Sequence, residues 1–420
     1  METSPDSFGA RRVAVWIGFG TLIGIACGLS SAVFLLLLDL ATHFRNGHRW
    51  IVWTLPVAGL GIGWIYDRWG RRVRAGSNLV LDTIHGAEAG IPTRMAPMVL
   101  VGTVLTHLFG GSAGREGTAV QMGGSLADRI AIGFKVRGPV RAELIAAGMA
   151  GGFGSVFGTP LAGAIFGIEA AAIGRLHWAA LVPGLVAALV GDRVVHWLGI
   201  AHTHYPRPEV WTLGLVELGK WMLFALLMAG AALLFVELTQ RLKANLEKRL
   251  PLLPWRMFAG GVAVVMLWQL VGTDDYLGLG IPGIVSAFSA PPPGWEVFLL
   301  KILFTAVTLA SGFLGGEVTP LFFIGATLGA AASGWLGIPQ ELAAGVGLAA
   351  VFAAAANAPI ALSVMCIELL GLNMFPHVLI VCGLAWILTG HRGIYSSQRV
   401  FRRKLTFRAE PARPRLGELP

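Results

Sequence analysis

The stretch Gly110-Gly111-Ser112-Ala113-Gly114-Arg115-Glu116-Gly117-Thr118 decides the fold, because it sets an ionisable side chain among glycines within a long apolar region. Glycines interrupt helices, and at membrane depth exposed backbone is tolerated only where it lines a cavity or lies buried in protein. A helix that begins at such a break directs free N–H groups and a partial positive charge into the cavity, which favours a bound anion. The stretch therefore predicts a broken membrane helix beside an anion site.

The composition places this stretch in a membrane. Of the 420 residues, 55% are apolar and 13% are charged, whereas soluble domains average about 25% charged. Apolar runs of the ~20 residues needed to cross a bilayer recur from residue 13 to residue 388. The net charge of +9 comes from short clusters between those runs, so it predicts orientation in the bilayer and no nucleic-acid binding.

Three ordered landmarks in the first half of the chain recur in the second half. The pairs are 76–80 with 278–282, 114–118 with 316–320, and 160–169 with 359–368. The offset is 202 residues for the first two pairs and 199 for the third. A single match is weak in a chain with 57 glycines, but three ordered matches predict two structural repeats.

Basic residues predict that the two repeats are oppositely oriented, since Lys and Arg collect on the cytoplasmic side of membrane helices. The basic loop 67–74 closes the first helix pair, whereas the basic run 241–249 already follows the first helix of the second half. Opposite orientation is the inverted-repeat plan of many transporters. Arg45 and Arg49 lie in a predicted external loop and oppose this scheme. The predicted segments are a cytoplasmic segment 1–12, repeat 1 at 13–200, an external linker 201–214, repeat 2 at 215–398 and a short basic cytoplasmic tail 399–420.

Glu116 is the leading functional candidate, because an ionisable residue at membrane depth is costly and is functional by default. An ionised carboxylate mimics an anion and occupies the anion position, whereas a protonated one swings away and admits a free anion. One side chain then couples a proton to an anion. The alternative is a structural ion pair between Arg115 and Glu116, which is disfavoured because adjacent helical residues do not face each other. Further helix starts near Ser77, Thr319 and Tyr395 are expected to converge on the same point.

The ordered motifs resemble the CLC family of chloride channels and proton antiporters. Residues 114–118 read GREGT and are similar to the GREGP signature, which includes the gating glutamate of that family. Residues 316–320 and 76–80 stand where the GxFxP and GSGIP motifs belong, and Tyr395 stands where a late anion-contacting tyrosine does. The resemblance spans residues 13 to 400. It implies an all-α polytopic membrane protein of the CLC-type inverted-topology repeat, with broken and re-entrant helices, as a homodimer.

Departures from the usual CLC pattern point to the fluoride/proton antiporter branch. Thr118 replaces a proline, and Ala170 stands where proton-coupled chloride members carry an internal glutamate. Residues 315–323 resemble the fluoride-exporting subtype, which implies proton and fluoride handling by Glu317 and Thr319. Hydroxyl and backbone donors suit fluoride, because they replace the water of a small and strongly hydrated ion.

The anion path is predicted to be lined by residues around Glu116, the anion gate and proton acceptor. The lining residues are Ser77, Asn78, Arg115, Gly117, Thr118, Val318, Thr319 and Tyr395, with Glu317 in secondary proton and anion coupling. Ser77 departs from the fluoride branch, since chloride-type members carry serine there. Asn78 beside it offers an amide instead.

Other polar residues are interpreted as structural. Glu169 and Glu368 occupy matching repeat positions, which favours a symmetric structural role over transport. His107 is interpreted as a hydrogen-bonded packing residue, and this reading is preferred over a role in proton relay. Lys301 is expected to extend its ammonium to the external surface. The two histidines in 202–204 are too few for a metal prediction, so no metal and no cofactor are expected.

The sequence thus predicts a multi-pass protein of the bacterial inner (plasma) membrane, with both termini cytoplasmic, that exports fluoride against inward proton movement. Its partners are a small anion, fluoride or chloride, together with protons and the lipid bilayer. A chloride-selective CLC antiporter or passive chloride channel is the main alternative, and Ser77 favours it. A non-transporting membrane scaffold is more remote, since it has no need of a glutamate among glycines. No enzyme is predicted, because no nucleophile, base and orienting residue occur with recognisable spacing.

Overall fold

Helices make up nearly all of the regular structure in the computed structural model, which describes residues 5–209, 211–405 and 413–419. The helices of the first half are α1 (Pro5–Gly47), α2 (Leu55–Trp69), α3 (Ser77–Ile84), α4 (Met95–Leu108), α5 (Glu116–Gly133), α6 (Gly138–Phe157), α7 (Pro160–Glu169) and α8 (Leu181–Trp197). Those of the second half are α9 (Leu215–Arg249), α10 (Leu253–Val271), α11 (Ile281–Ser286), α12 (Trp295–Ala310), α13 (Val318–Leu336), α14 (Gln340–Ala356), α15 (Pro359–Leu370) and α16 (His377–Leu388). Two short strands, β1 (Ala172–Ile173) and β2 (Arg399–Val400), pair in parallel.

The described residues include five helical segments that are long and apolar enough to cross a membrane. They are Val13–Gly47, Trp178–Trp197, Leu215–Arg249, Leu253–Val271 and Val318–Leu336. By contrast, α7 has 10 residues, and at a rise of about 1.5 Å per residue it covers only half of a hydrocarbon core of about 30 Å. Long spanning helices and short broken ones therefore coexist, and the predicted all-α membrane fold is confirmed.

The two halves repeat the same helix contacts. α1 packs on α8 as α9 packs on α16, and α6 packs on α7 as α14 packs on α15. Corresponding elements also meet one another, since α2 contacts α10, α5 contacts α13 and α7 contacts α15. Contacts of this kind place a pseudo-two-fold axis between the halves, as an inverted repeat requires.

Matching glycines allow the same close helix packing in each half. A Cβ added to Gly123 would lie 2.1 Å from the carbonyl oxygen of Gly148, where α5 crosses α6. A Cβ added to Gly325 would lie 2.0 Å from that of Gly347, where α13 crosses α14. Each obstacle is backbone and has no rotamer to change. Small residues at such crossings let membrane helices approach closely and gain van der Waals contact.

Two glutamates cap helices across the pseudo-two-fold axis. Glu169 of the first repeat caps α15 of the second, and Glu368 of the second repeat caps α7 of the first. The Glu169 carboxylate accepts the N–H groups of Ile360 and Ala361, the second and third residues of α15, at 3.0 and 2.7 Å. The Glu368 carboxylate accepts those of the second and third residues of α7 at the same two distances. Each carboxylate satisfies N–H groups that have no partner within their helix, and its charge complements the helix dipole. This geometry gives both residues the symmetric structural role that was favoured.

The two arginines that oppose the predicted orientation have partners within the protein. Arg45 is 7% exposed and its Nη1 donates to the carbonyl oxygen of His107 at 2.9 Å. Arg49 forms an ion pair with Asp274, with 2.8 Å between Nε and Oδ2. Because protein groups take up these charges, they carry less information about membrane sidedness than free loop arginines do.

The expectation that Lys301 extends to the external surface is wrong. Its side chain is fully buried, and Nζ donates to the carbonyl oxygens of Tyr276 and Gly278 at 3.2 and 2.9 Å. The Phe323 ring lies 5.3 Å from the ammonium. The irregular entry to α11 leaves carbonyl oxygens without helical partners, and these replace water around the charge.

Parts of the basic segment 399–420 pack against the membrane body. β2 pairs with β1 from the first repeat, and Leu416 packs beside them. Lys404 is 1% exposed and donates Nζ to the carbonyl oxygen of Trp386 at 2.8 Å. Residues 1–4, 210, 406–412 and 420 lie outside the described residues, so the predicted segments 1–12 and 399–420 are described only in part.

Candidate anion and proton site

The carboxylate of Glu116 lies at the N-terminus of the opposing helix α13. Glu116 begins α5 and is 1% exposed. The Thr319 hydroxyl lies 2.7 Å from Oε1 and 2.5 Å from Oε2, and the Thr319 N–H donates to Oε2 at 3.1 Å. The first N–H groups of a helix and its positive dipole end favour a negative charge at this position. The carboxylate therefore occupies a position that favours negative charge.

The Arg115–Glu116 pair is present, but it does not determine this placement. The Arg115 N–H donates to Oε2 at 3.2 Å, and Arg115 Nε lies 3.4 Å from Oε1. Both distances exceed the hydroxyl contacts from Thr319. The carboxylate is thus held chiefly by the second repeat, across the pseudo-two-fold axis.

Two backbone hydrogen bonds fasten the helix tips together. Gly114 N–H donates to the Gly316 carbonyl oxygen at 2.6 Å, and Gly316 N–H donates to the Gly114 carbonyl oxygen at 2.8 Å. A Cβ on Gly316 would lie 2.7 Å from the amide nitrogen of Gly117. Only glycine fits this approach, so the two breaks found in the sequence meet face to face. Val318, the first residue of α13, is buried beside them.

A cavity of about 670 Å³ leads to this region. Five of the sequence-predicted site residues line it, namely Ser77, Asn78, Thr118, Glu317 and Tyr395. Glu116, Val318 and Thr319 are at most 2% exposed, although their chain neighbours Thr118 and Glu317 form part of the cavity wall. The carboxylate is thus buried and does not itself line the cavity.

Basic residues from several segments line the same cavity. They are Arg74, Lys243, Arg256 and Arg392. Arg74 comes from the loop 67–74, and Lys243 comes from the run 241–249. These two segments were assigned to the same side of the membrane from sequence, and each contributes a residue to the lining of one cavity.

The start of α3 is tied to neighbouring polar groups. Ser77 Oγ accepts a hydrogen bond from Gln121 Nε2 at 3.2 Å. Asn78 Oδ1 accepts the Ser397 N–H at 3.0 Å. Tyr395 is 4% exposed, and its hydroxyl has no hydrogen-bond partner among the described residues. A buried hydroxyl at a cavity wall without a protein partner is a donor that an anion can use.

The expected helix start near Tyr395 is wrong. α16 ends at Leu388, and residues 389–398 contain no helix. Gly390, at φ +55°, follows the end of α16. The segment then bonds to the neighbouring helix end, since Ile394 N–H donates to the Ala355 carbonyl oxygen at 2.9 Å. Near the site, helix N-termini come from α3, α5 and α13, and Tyr395 supplies a side chain only.

Glu317, Gly117 and Thr118 lie where the helix tips meet the cavity. Glu317 is the N-cap residue of α13. A Cβ on Gly117 would lie 3.7 Å from Glu317 Oε2, so this carboxylate stands close to the first turn of α5. Thr118 Oγ1 lies 2.8 Å from Thr103 Oγ1. A second carboxylate and a pair of hydroxyls thus flank Glu116.

Gln121 belongs to this region and was missed from the sequence. It lines the cavity and holds Ser77 through its amide. The available signal was an uncharged polar residue in the same apolar helix, five positions after Glu116. His107 is fully buried, and its two ring nitrogens lie 2.8 and 2.9 Å from the carbonyl oxygens of Thr103 and Ala113. This agrees with the packing interpretation.

The inverted repeat and the paired helix tips define a polytopic membrane protein of the broken-helix transporter class. The chain belongs to the family described as voltage gated chloride channel, whose sequence pattern matches residues 58–390. A chloride/fluoride channel protein of Pseudomonas syringae pv. tomato is 47% identical over 92% of this chain and 87% of that protein.

Two solved structures share the fold of this chain. A CLC-type fluoride/proton antiporter matches with a TM-score of 0.90 and 34% identity, over 95% of this chain and 100% of that chain. A slow cyanobacterial Cl⁻/H⁺ antiporter matches with a TM-score of 0.78 and 20% identity, over 89% of this chain and 94% of that chain. The second match bears on the fold alone.

Proposed function

We propose that this protein is a fluoride/proton antiporter that exports fluoride from the cytoplasm. The observation that carries the proposal is the Glu116 carboxylate bound by the N–H and hydroxyl of Thr319 at the start of α13. The 47% identical relative described as a chloride/fluoride channel protein and the 34% identical fluoride/proton antiporter support it. Both cover most of this chain.

Glu116 serves as anion gate and proton acceptor. In its ionised form the carboxylate fills the site at Thr319 and keeps a free anion out. Protonation removes the charge that the helix N-terminus favours, so the side chain leaves and the N–H and hydroxyl become available to fluoride. Return of the carboxylate requires loss of both the proton and the anion. Antiport follows from this mutual exclusion.

The remaining site residues guide the anion between the cavity and Glu116. Ser77, Thr118 and Tyr395 supply hydroxyls, and Thr319 and Arg115 supply donors at the helix tips. Val318 and Gly117 give the path its close apolar and backbone walls, and Asn78 positions the α3 end. Glu317 takes a secondary part in proton and anion coupling, since its carboxylate stands beside the first turn of α5. Fluoride gains from such donors because they replace its hydration shell.

The protein resides in the bacterial plasma membrane with both termini cytoplasmic and functions as a homodimer. In this orientation the cavity lined by Arg74 and Lys243 opens to the cytoplasm, as the distribution of basic residues in membrane proteins favours. Fluoride enters from that side and leaves past Arg115. Chemical cross-linking in native membranes tests the dimer, and cysteine labelling at Arg71 tests the orientation.

Reconstituted liposomes test the proposed activity. Liposomes loaded with either fluoride or chloride are diluted into medium without that anion, and an ion-selective electrode and a pH electrode follow efflux and proton movement. The proposal expects fluoride efflux well above chloride efflux, with the external medium becoming alkaline as protons enter. Equal or faster chloride efflux, or fluoride efflux without proton movement, would contradict it.

A chloride-selective antiporter or passive chloride channel is the second candidate, and Ser77 favours it. Its hydroxyl lies at the start of α3 on the cavity wall, held by Gln121. A Ser77→Asn substitution separates the candidates. In a fluoride antiporter it preserves or raises the ratio of fluoride to chloride flux, whereas in a chloride protein it lowers chloride flux without producing fluoride transport.

A further inference from the structure

A cluster of three metal-ligating side chains lies away from the anion site, at the end of α8 and the start of the linker. Asp192 and His196 are four residues apart in the last turns of α8, and His202 follows in the irregular segment after it. The three residues can each offer one ligand atom, and these atoms lie within 4.8 Å of one another. The geometry points to a site for a divalent transition-metal cation, which we propose is Zn²⁺.

Two of the three distances between ligand atoms are close to the edge length of a zinc coordination sphere, and the third is within 4.8 Å. Asp192 Oδ1 lies 3.3 Å from His196 Nδ1 and 3.6 Å from His202 Nε2. Zinc binds nitrogen and oxygen ligands at about 2.0–2.2 Å with tetrahedral angles, which separates neighbouring ligand atoms by about 3.4 Å. Small side-chain shifts bring all three atoms onto one ion and leave a fourth position for water.

The buried ligands have no other partners among the described residues. The His202 side chain is 9% exposed and the Asp192 side chain 12%. Neither ring nitrogen of His202 has a hydrogen-bond partner, and neither does Asp192 Oδ1. A buried polar group without a partner costs about 1–3 kcal/mol. A cation bound to these atoms removes that cost.

The surroundings hold the ligands in place and favour a cation. A Cβ on Gly158 would lie 2.6 Å from the His202 ring, so the ring packs directly on the turn between α6 and α7. The last turn of α8 presents the negative end of its dipole, which attracts positive charge. His196 Nδ1 also lies 3.1 Å from the Asp192 carbonyl oxygen, so metal binding requires release of any proton it shares there.

The ligand set selects the class of metal. Two imidazoles and one carboxylate suit zinc and neighbouring transition metals, whereas magnesium and calcium prefer oxygen ligands. His204, the other histidine of the segment, is exposed and is not part of the cluster. The site ties the first residues of the linker to the first repeat.

Zinc binding to the purified, chelator-treated protein tests the proposal. Isothermal titration calorimetry is expected to show one zinc per chain, undisturbed by excess magnesium, and zinc is expected to raise the melting temperature. His196→Ala and His202→Ala each weaken binding by about tenfold or more, the loss typical even for residues that only support a metal ligand. His204→Ala is the matched control and leaves binding unchanged.

Melting temperatures without zinc establish that each variant is folded. His196 is exposed, with 56% of its side chain accessible, so its replacement leaves the fold intact even if His202→Ala does not. The proposal is overturned if the wild-type protein binds no zinc, if His196→Ala binds zinc like the wild type, or if His204→Ala weakens binding as strongly as His196→Ala.

Discussion

The two helix tips that meet at the proposed anion site are related by the pseudo-two-fold axis, yet they carry different chemistry. The tip of α5 supplies the Glu116 carboxylate, whereas the tip of α13 supplies the N–H and hydroxyl of Thr319 that bind it. At the 202-residue offset, Glu116 corresponds to Val318 and Gly117 corresponds to Thr319. The backbone keeps the symmetry through the Gly114–Gly316 hydrogen bonds, and the side chains break it.

The carboxylates that cap α7 and α15 behave in the opposite way. Glu169 and Glu368 correspond to each other and make the same contacts at the same distances. The matched carboxylates thus have structural contacts, whereas Glu116, which has no charged counterpart in the second half, lies at the proposed anion site. Side chains that break the symmetry are therefore expected to control transport, and those that keep it are expected to control stability.

Replacing Glu116 by glutamine removes the asymmetric charge and is expected to have the largest effect. A glutamine side chain cannot bind and release a proton as a carboxylate does, so proton movement driven by a fluoride gradient should fall to background. The pH electrode measures this coupling directly, independently of the rate of fluoride flux. Glu169→Gln serves as the matched control and should remain proton-coupled. Intact coupling in Glu116→Gln would refute the assignment.

Gly316→Ala tests the symmetric backbone contact. The added methyl would lie 2.7 Å from the amide nitrogen of Gly117, so the tips must separate. Overpacking of this kind typically costs about 1–3 kcal/mol, and fluoride flux should fall with it. Gly61→Ala is the control, since a Cβ there has no neighbour within 4 Å. Equal melting temperatures and fluxes for the two variants would show that the contact is loose.

Thr319→Val removes the hydroxyl from the anion-binding tip while preserving the shape of the side chain. A hydrogen bond to a charged group contributes about 1.5–3 kcal/mol, so fluoride turnover is expected to fall by about 10- to 100-fold. Thr327→Val, in the same helix, removes a hydroxyl that donates to the carbonyl oxygens of Phe323 and Ile324 in the preceding turn. Flux should be unchanged in that variant. A similar loss in both would assign Thr319 a packing role.

Glu169→Gln and Glu368→Gln should have the smallest effects on transport and measurable effects on stability. Each removes a charge from a helix N-terminus, which contributes about 0.3–2 kcal/mol. Glu169 is 5% exposed and Glu368 is more accessible, so the melting temperature should fall further for Glu169→Gln. Thermal unfolding in detergent measures both. Loss of proton coupling in either variant would place these residues on the transport path instead.

Periodic glycine breaks made much of this arrangement predictable. Helix termination and membrane depth are local properties, so the stretches at 114–118 and 316–320 already indicated two broken helices with Glu116 between them. The symmetric structural role of Glu169 and Glu368 was also predicted from their matching positions. These features depend on spacing along the chain, which the sequence records directly.

Contacts between distant segments were not predictable in the same way. Lys301 looked like a surface residue, because nothing local indicates the carbonyl oxygens of Tyr276 and Gly278 that bury its charge. The segment around Tyr395 looked like a helix start, but it bonds instead to Ala355 at the end of α14. Gln121 carried only one weak signal. In each case the sequence prediction failed because the contacting residue lies in a distant part of the chain.

Fluoride affinity measured as a function of pH tests the central claim most directly, since that claim is competition between a carboxylate and an anion for the site at Thr319. Isothermal titration calorimetry in detergent compares the wild-type protein with Glu116→Gln from neutral to mildly acidic pH. The affinity of the wild-type protein for fluoride should rise as pH falls, because protonation removes the competing carboxylate. The affinity of the variant should not change with pH. Identical pH dependence in the two proteins would contradict the account.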